Sequence, residues 1–380
     1  MIPRYQSPVG VWDFFSIAVG RLADSPRSET VTIGQSMLMP SASDALFFAL
    51  RKIGATGSVI LPAYNCIKVV KAIWAAGWVP VFVDVDLATG SMLQADLRKT
   101  LERLSGQKAI LATHLHGVPN AMAPLIADAK HFNAIIIEDC AMAQGAIHQG
   151  MPVGSFGDWA IFSFGLGKVL SFGAGGALLC KDVANRIEMR EALPQPAYFS
   201  PILSRLGSIG WVRFHAQEFI KQWLPSLARS TQEQSYKFQA GELSAAASRS
   251  LHLLLESQNV KQYIEQQKQR SLDWLSFVDE LRSHRLSAFT PIRGDNPCYP
   301  GLPLIVEDRA ALQSSLRKQG VDSARYFDYC AARLSGDPGS FPNSEYLAQR
   351  SLVLPLYQMT EAKANVIRRV LRSHAFGECK

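Results

Sequence analysis

The sequence predicts an α/β fold: a mostly parallel sheet with helices on both faces, followed by a smaller C-terminal α+β unit. Three observations carry this expectation. Short β-type runs alternate with helical patterns from Ser43 to Cys180. Most of those runs are continuously apolar, as strands buried on both faces require. Beyond Glu242 the alternation gives way to one long helical pattern and then a mixed region. Alternating β and α units imply parallel strands joined by crossover helices, and ligands in such sheets sit at the carboxyl ends of the strands.

Taken in order, the strand candidates are Ser58–Leu61, Val79–Asp84, Ala109–Thr113, Ala134–Glu138, Trp159–Phe164 and Gly176–Cys180. The intervening helices are Asp44–Ile53, Lys68–Ala76, Leu93–Leu104 and Met122–Phe132. Ile187–Lys237 is irregular, with Pro194, Pro196, Pro201 and Pro225 among aromatic and basic residues. Trp211, Phe214, Phe219 and Trp223 there suit packing against a domain or subunit neighbour better than a membrane surface, because no sustained basic face accompanies them. The long helix spans Glu242 to about Arg282, followed by strands Leu302–Val306 and Ser351–Leu354 and helices Arg309–Gln319 and Thr360–Leu371. The expected division is a large domain over residues 1–245, then the linking helix and small domain over 246–380.

Composition excludes several classes. Of 380 residues, 48% are hydrophobic and 19% charged, which is not the signature of disorder. Six cysteines without CxxC spacing do not make a disulfide scaffold, and read as free thiols in a reducing cytoplasm. The uncharged stretch Ala109–Ala127 contains two histidines and two prolines, so it is no spanning helix. The N-terminus is too weakly apolar for a secretory signal. The net charge of +7 is dispersed, with no Lys/Arg block and no zinc-finger or RNA-binding signature, so nucleic acid is not the expected partner.

Four places carry chemistry. Asp139 ends the run Ile135-Ile136-Ile137-Glu138, where a buried carboxylate is costly unless paired; a helix N-cap is the plainer reading. Lys168 is the only charged residue between Asp158 and Lys181, amid apolar residues and glycines. Desolvation there would depress its pKa and suit it to Schiff-base chemistry; a lysine reaching solvent over a buried stem is the alternative. Ser41-Ala42-Ser43-Asp44 opens a helix, where backbone N–H groups and the helix dipole favour an anion; a simple N-cap is the alternative. Ser163, five residues before Lys168, could add a hydroxyl to the same anion. An anion cradle, a buried carboxylate and a desolvated lysine, in that order, suit pyridoxal 5′-phosphate (PLP), which has a phosphate, a pyridine nitrogen and an aldehyde. No metal is expected.

At this point the sequence resembles the DegT-type sugar aminotransferases, PLP enzymes of fold type I with an aspartate aminotransferase-like architecture, which implies a mostly parallel sheet of the seven-stranded type. Ser41-Ala-Ser-Asp-Ala-Leu46 resembles the family's phosphate turn. Further matches are Leu61-Pro-Ala-Tyr-Asn65, Pro80-Val-Phe-Val-Asp-Val-Asp86, His114-Leu-His-Gly117, Ile137-Glu-Asp-Cys-Ala-Met-Ala-Gln-Gly145 and Val153-Gly-Ser-Phe-Gly-Asp158. The series continues with Phe162-Ser-Phe164, Lys168, Gly175-Gly176 and Leu354-Pro-Leu356. Each motif is weak alone; their ordered co-occurrence from Ser41 to Leu371 is strong.

The resemblance implies that Lys168 forms the Schiff base, Asp139 pairs with the pyridine nitrogen, and Ala42, Ser43 and Ser163 hold the phosphate. It also exposes departures. Met142 stands where the family has a ring-contacting Gln, and Cys66 where it has a ring-stacking aromatic. Tyr64, two residues earlier on the same face of extended chain, is the expected substitute. Lys237 aligns with the family's Asn that reaches the partner's phosphate, which implies a homodimer with shared sites. The expected activity is transfer of an amino group, from glutamate by resemblance, to a nucleotide-linked keto sugar in amino-sugar biosynthesis for a surface polysaccharide or natural product. One alternative is a PLP enzyme acting on a non-sugar ketone, or a sugar dehydratase. Relatives that dehydrate carry His at the lysine position, so Lys168 speaks against the latter. Another alternative is a non-catalytic PLP-fold binding or regulatory protein.

Overall fold

Two sheets organise the described chain. The computed structural model describes residues 36–171, 175–182, 258–337, 339–357 and 359–377. The expected features at Ile187–Lys237, Lys237 itself and the seam expected at residue 245 lie outside these residues.

The large sheet contains β1 (Met37–Met39), β2 (Ser58–Pro62), β3 (Val79–Val83), β4 (Lys108–Thr113), β5 (Ala134–Asp139), β8 (Trp159–Ser163) and β9 (Gly176–Cys180). The short pair β6 (Ile147–His148) and β7 (Met151–Pro152) forms a separate hairpin between β5 and β8. Strand order is β1-β9-β8-β5-β4-β2-β3. All neighbours pair in parallel except β9, which runs against both β8 and β1. The mostly parallel sheet expected from the apolar runs is therefore present, and with β1 it has the seven strands the resemblance implies.

Side-chain alternation explains why those runs are continuously apolar. Val59, Leu61, Ala109, Leu111 and Ile137 join one core with α1 (Ala42–Ile53) and α2 (Ile67–Ala75). Ile60, Ile110, Ala112 and Ile136 join another with α3 (Gln94–Arg103) and α4 (Met122–His131). Each strand thus buries both faces. The chain order reverses between β2 and β4, since β3 lies on one side of β2 and the later strands on the other. Such a switch point opens a crevice at the carboxyl ends of the strands.

The smaller sheet is antiparallel, in the order β10 (Leu286–Ala288), β11 (Leu302–Val306), β12 (Ser351–Leu354). It packs with α5 (Gln258–Glu280), α6 (Arg309–Lys318), α8 (Pro342–Arg350) and α9 (Glu361–Phe376), and the short α7 (Ala331–Leu334) precedes α8. This is the α+β unit expected. The described part of the long helix is Gln258–Glu280, and α9 runs to Phe376 rather than stopping at Leu371.

Asp84, just past β3, joins the two parts. Its carboxylate accepts the N–H groups of Asn343 (3.0 Å) and Ser344 (2.8 Å) and the Ser344 hydroxyl (2.6 Å). These belong to the first turn of α8, whose N-cap residue Phe341 supplies no side-chain acceptor. A large-domain aspartate therefore caps a small-domain helix.

Candidate active site

The crevice at the switch point is a cavity of about 550 Å³. Ala42, Ser43, Asp139, Met142, Ser163 and Lys168 all line it. Six of the eight residues expected at the site are thus brought together; Tyr64 does not line the cavity, and Lys237 lies outside the described residues.

Alternation along β5 separates two adjacent carboxylates. Glu138 is fully buried away from the cavity. It accepts the N–H groups of Gly154 (2.8 Å), Phe156 (2.7 Å) and Gly157 (2.7 Å). His114 completes the set: its Nδ1 accepts the Asn120 N–H (3.0 Å), so Nε2 carries the proton donated to Glu138 (3.1 Å). Burial alone would raise the Glu138 pKa. The His114 hydrogen bond, with the Gly157 and Gly154 N–H groups, outweighs it and holds the carboxyl below its ordinary value. Asp139 faces the cavity with one protein donor, the Ala141 N–H at 3.0 Å. Burial pushes its pKa up, against the Ala141 hydrogen bond and the charge of Lys168. A cationic N–H arriving from a ligand would reverse that direction.

The anion end is built by α1. Ser41 caps the helix by accepting the Asp44 N–H (3.2 Å) while its hydroxyl donates to the Asp44 carboxylate (2.5 Å). Ala42 and Ser43, the first helical residues, sit at the positive end of the helix dipole. Gly176 permits this placement: a Cβ there would lie 2.5 Å from the Ala42 nitrogen. Ser163 ends β8 at the same wall, its Oγ accepting the Gly165 N–H (3.3 Å).

Lys168 is partly exposed on the cavity wall. Desolvation lowers its pKa, against the attraction of Cys66 and Asp139, and Lys68 lowers it further. The amine is therefore the nucleophilic form more often than an ordinary lysine.

Tyr64 requires a correction. It is fully buried but absent from the cavity lining. Its hydroxyl bonds Ser351 at 2.5 Å and its ring meets Phe327 edge-on at 5.4 Å. Turning away at the end of β2 places it in the seam to the small domain, so it does not stand in for the aromatic that Cys66 replaces. The cavity's aromatic rings are instead His114, Tyr326 and Phe327. His116, buried behind them, has its pKa lowered to about 3 by burial and by Lys168. The sequence marked His114 and Cys66 only as motif positions, and Tyr326 and Phe327 not at all. No spacing pattern links residue 326 to residue 168; only the fold does.

Gln144, two residues beyond Met142, donates to the Ser163 carbonyl and does not line the cavity. Met142 does, and is apolar and 6% exposed. Together these walls accept a planar ligand with an anionic group at α1, a basic ring nitrogen at Asp139 and a reactive carbonyl carbon at Lys168. The donor set present fits all three functions.

A family model described as the DegT/DnrJ/EryC1/StrS aminotransferase family matches residues 33–371. The chain is 28% identical to UDP-N-acetyl-3-dehydro-α-D-glucosamine 3-aminotransferase from Acidithiobacillus ferrooxidans, over 93% of this chain and 88% of that protein. Among solved structures, sugar aminotransferase CalS13 from Micromonospora echinospora aligns with TM-score 0.72 and 20% identity, covering 98% of this chain and all of that one, 100%. E. coli GDP-4-keto-6-deoxy-D-mannose-3-dehydratase with bound hydrated PLP aligns with TM-score 0.71 at 15% identity, covering 98% and 99%.

Proposed function

The chain belongs to the DegT/DnrJ/EryC1/StrS aminotransferase family, and from that premise we propose that it uses PLP to move an amino group from glutamate to a nucleotide-linked keto sugar. It is an enzyme that transfers amino groups; donor, acceptor and setting are the proposal. The observation that carries it is the convergence of Lys168, Asp139 and the α1 N-terminus on one cavity. The acceptor class is supported by the relative named for a UDP-linked 3-dehydro sugar.

PLP, when bound, supplies an electrophilic carbon and a ring that accepts electrons. In this reading the chain's own residues do the rest. Ala42 and Ser43 backbone N–H groups and the Ser163 hydroxyl hold the phosphate. Asp139 holds a proton on the ring nitrogen. Lys168 Nζ would hold the cofactor and, as a free amine, would take the proton from the donor Cα as general base. Met142 would pack beside the ring without a polar contact, and Lys237, which lies outside the described residues, is assigned on the family resemblance alone to the phosphate of a homodimeric partner. A cytoplasmic setting is supported by the five described cysteines, all free thiols. No described helix is long and apolar enough to cross a membrane. The product would enter amino-sugar biosynthesis for a surface polysaccharide or natural product.

The test is a two-stage assay on the PLP-loaded protein. Glutamate should be consumed with release of 2-oxoglutarate, and one member of a UDP-, GDP- and dTDP-keto-sugar panel should gain an amino group by mass. Keto-acid release with no sugar aminated would favour a non-sugar ketone. Loss of water from the sugar without gain of nitrogen would mark a dehydratase. Neither reaction, in protein that binds PLP, would favour the non-catalytic reading.

A further inference from the structure

The segment after α6 crosses from the small sheet to the cavity. Ala324 and Val353 exchange backbone hydrogen bonds of 2.8 Å, which anchors the segment's start to β12. It then meets the large domain at three points. The Tyr326 hydroxyl donates to the Gly167 carbonyl at 3.0 Å. The Tyr329 hydroxyl accepts the Ile67 N–H at 3.0 Å, at the start of α2, where Cys66 gives no side-chain cap. The Ala331 N–H donates to the Ala63 carbonyl at 2.7 Å, beyond β2. Two of these points fix the β2–α2 connection. The third falls on the residue immediately before Lys168.

Tyr326 differs from Tyr329 in a second respect. It lines the cavity together with Lys168, whereas Tyr329 does not. Its ring also belongs to the aromatic wall, with centroids 6.3 Å from Phe327 and 6.0 Å from His116. The same side chain therefore holds the backbone just before Lys168 and lines the cavity that Lys168 also lines. A carbonyl held at Gly167 limits how the next residue can move, and a ring on the wall of the same cavity displaces water from it.

We propose that Tyr326 is a positioning residue for Lys168: its hydroxyl fixes the loop at Gly167, and its ring keeps the amine dry and directed into the cavity. The small domain thereby sets the reactivity of a large-domain lysine. The inference rests on the proposed function only in taking Lys168 as the reacting amine. The low pKa that burial imposes on Lys168 is the property this arrangement would maintain.

The test compares full-length wild type, Tyr326→Phe and Tyr329→Phe, each freed of PLP. Acylation of Lys168 by acetic anhydride is followed across pH by peptide mass spectrometry. In Tyr326→Phe the loop loosens and water reaches the amine, so the midpoint should rise by about one pH unit towards the ordinary lysine range. Tyr329→Phe loosens the same segment elsewhere and should leave the midpoint unmoved. After reloading with PLP, borohydride trapping at Lys168 should be about fivefold slower in Tyr326→Phe than in wild type. Coincident curves for Tyr326→Phe and wild type overturn the proposal. So does an equal shift in Tyr329→Phe, which would assign the effect to segment docking. A Tyr326→Phe protein that fails to fold also overturns it, because the hydroxyl would then support the fold at large. Failure of wild type to trap PLP at Lys168 would instead remove the functional reading, while the acylation comparison still decides the role of Tyr326.

Discussion

Glu138 and Asp139 are neighbours in sequence and do opposite work. Glu138 is saturated by three backbone N–H groups and His114, so it organises the 154–157 turn and fixes the His114 tautomer at the cavity edge. Asp139 is left with capacity for a ligand. Glu138→Gln puts a donor where only acceptors fit and should cost about 3 kcal/mol at neutral pH, read from urea midpoints. The pH dependence follows from the lowered folded pKa. The unfolded carboxyl takes up its proton at about pH 4.3. The stability owed to Glu138 is therefore fully present above that pH and is lost as pH falls towards the lower folded value. Glu138→Gln should show a shallower loss of stability below pH 4.3; a slope equal to wild type would mean that Glu138 is not held as a carboxylate. Asp139 and Lys168 were legible in the sequence because a charge inside an apolar run demands a reason. Glu138 was legible only as part of a motif, since its partners at 114 and 154–157 come from other elements.

Elements were legible to the extent that burial imposes a pattern on them. The strands at 58–62, 108–113, 134–139 and 159–163 announce themselves because both faces are covered. The strands Met37–Met39 and Leu286–Ala288 and the Ile147–Pro152 hairpin are two or three residues long, too short for any period to show. Motif glycines gain their reason only in three dimensions: Gly117 has φ +94°, and a Cβ there would lie 2.3 Å from the Cys298 carbonyl oxygen. The Pro80–Asp86 motif likewise carries two structural carboxylates. Asp86 folds the next turn by accepting the N–H groups of Ala88 (3.0 Å) and Thr89 (2.8 Å). Asp84 caps α8 across the seam. Asp84→Ala strips three donors of their acceptor and should cost about 3 kcal/mol. Asp86→Ala, at a more exposed turn, should cost about 1 kcal/mol. Chemical denaturation of the two variants checks the order, and equal costs would deny the trans-cap its role.

On the scale of the whole molecule, the two described parts are joined through buried contacts rather than a tether. Tyr64 bonds Ser351, Asp84 caps α8, the Ile147 and Asn296 backbones exchange two hydrogen bonds of 2.9 Å, and residues 326–331 span the cavity. Shared hydrogen bonds of this kind couple the parts energetically. Far-ultraviolet and near-ultraviolet circular dichroism should therefore report one coincident unfolding transition. Two separated transitions would show that the seam is weaker than its hydrogen bonds imply. Of the charges that make up the net +7, the described positive groups that line the cavity are Lys168 and Lys68, which with the N-terminus of α1 make a setting for an anionic ligand.

The central claim is that Lys168 holds PLP in the cavity between α1 and Asp139. Borohydride reduction of the PLP-loaded protein, followed by proteolysis and mass spectrometry, tests it most directly. The account predicts a single pyridoxyl adduct, on the peptide containing Lys168, and none in Lys168→Ala. An adduct on another lysine, or a visible PLP band of equal intensity in Lys168→Ala, would contradict it.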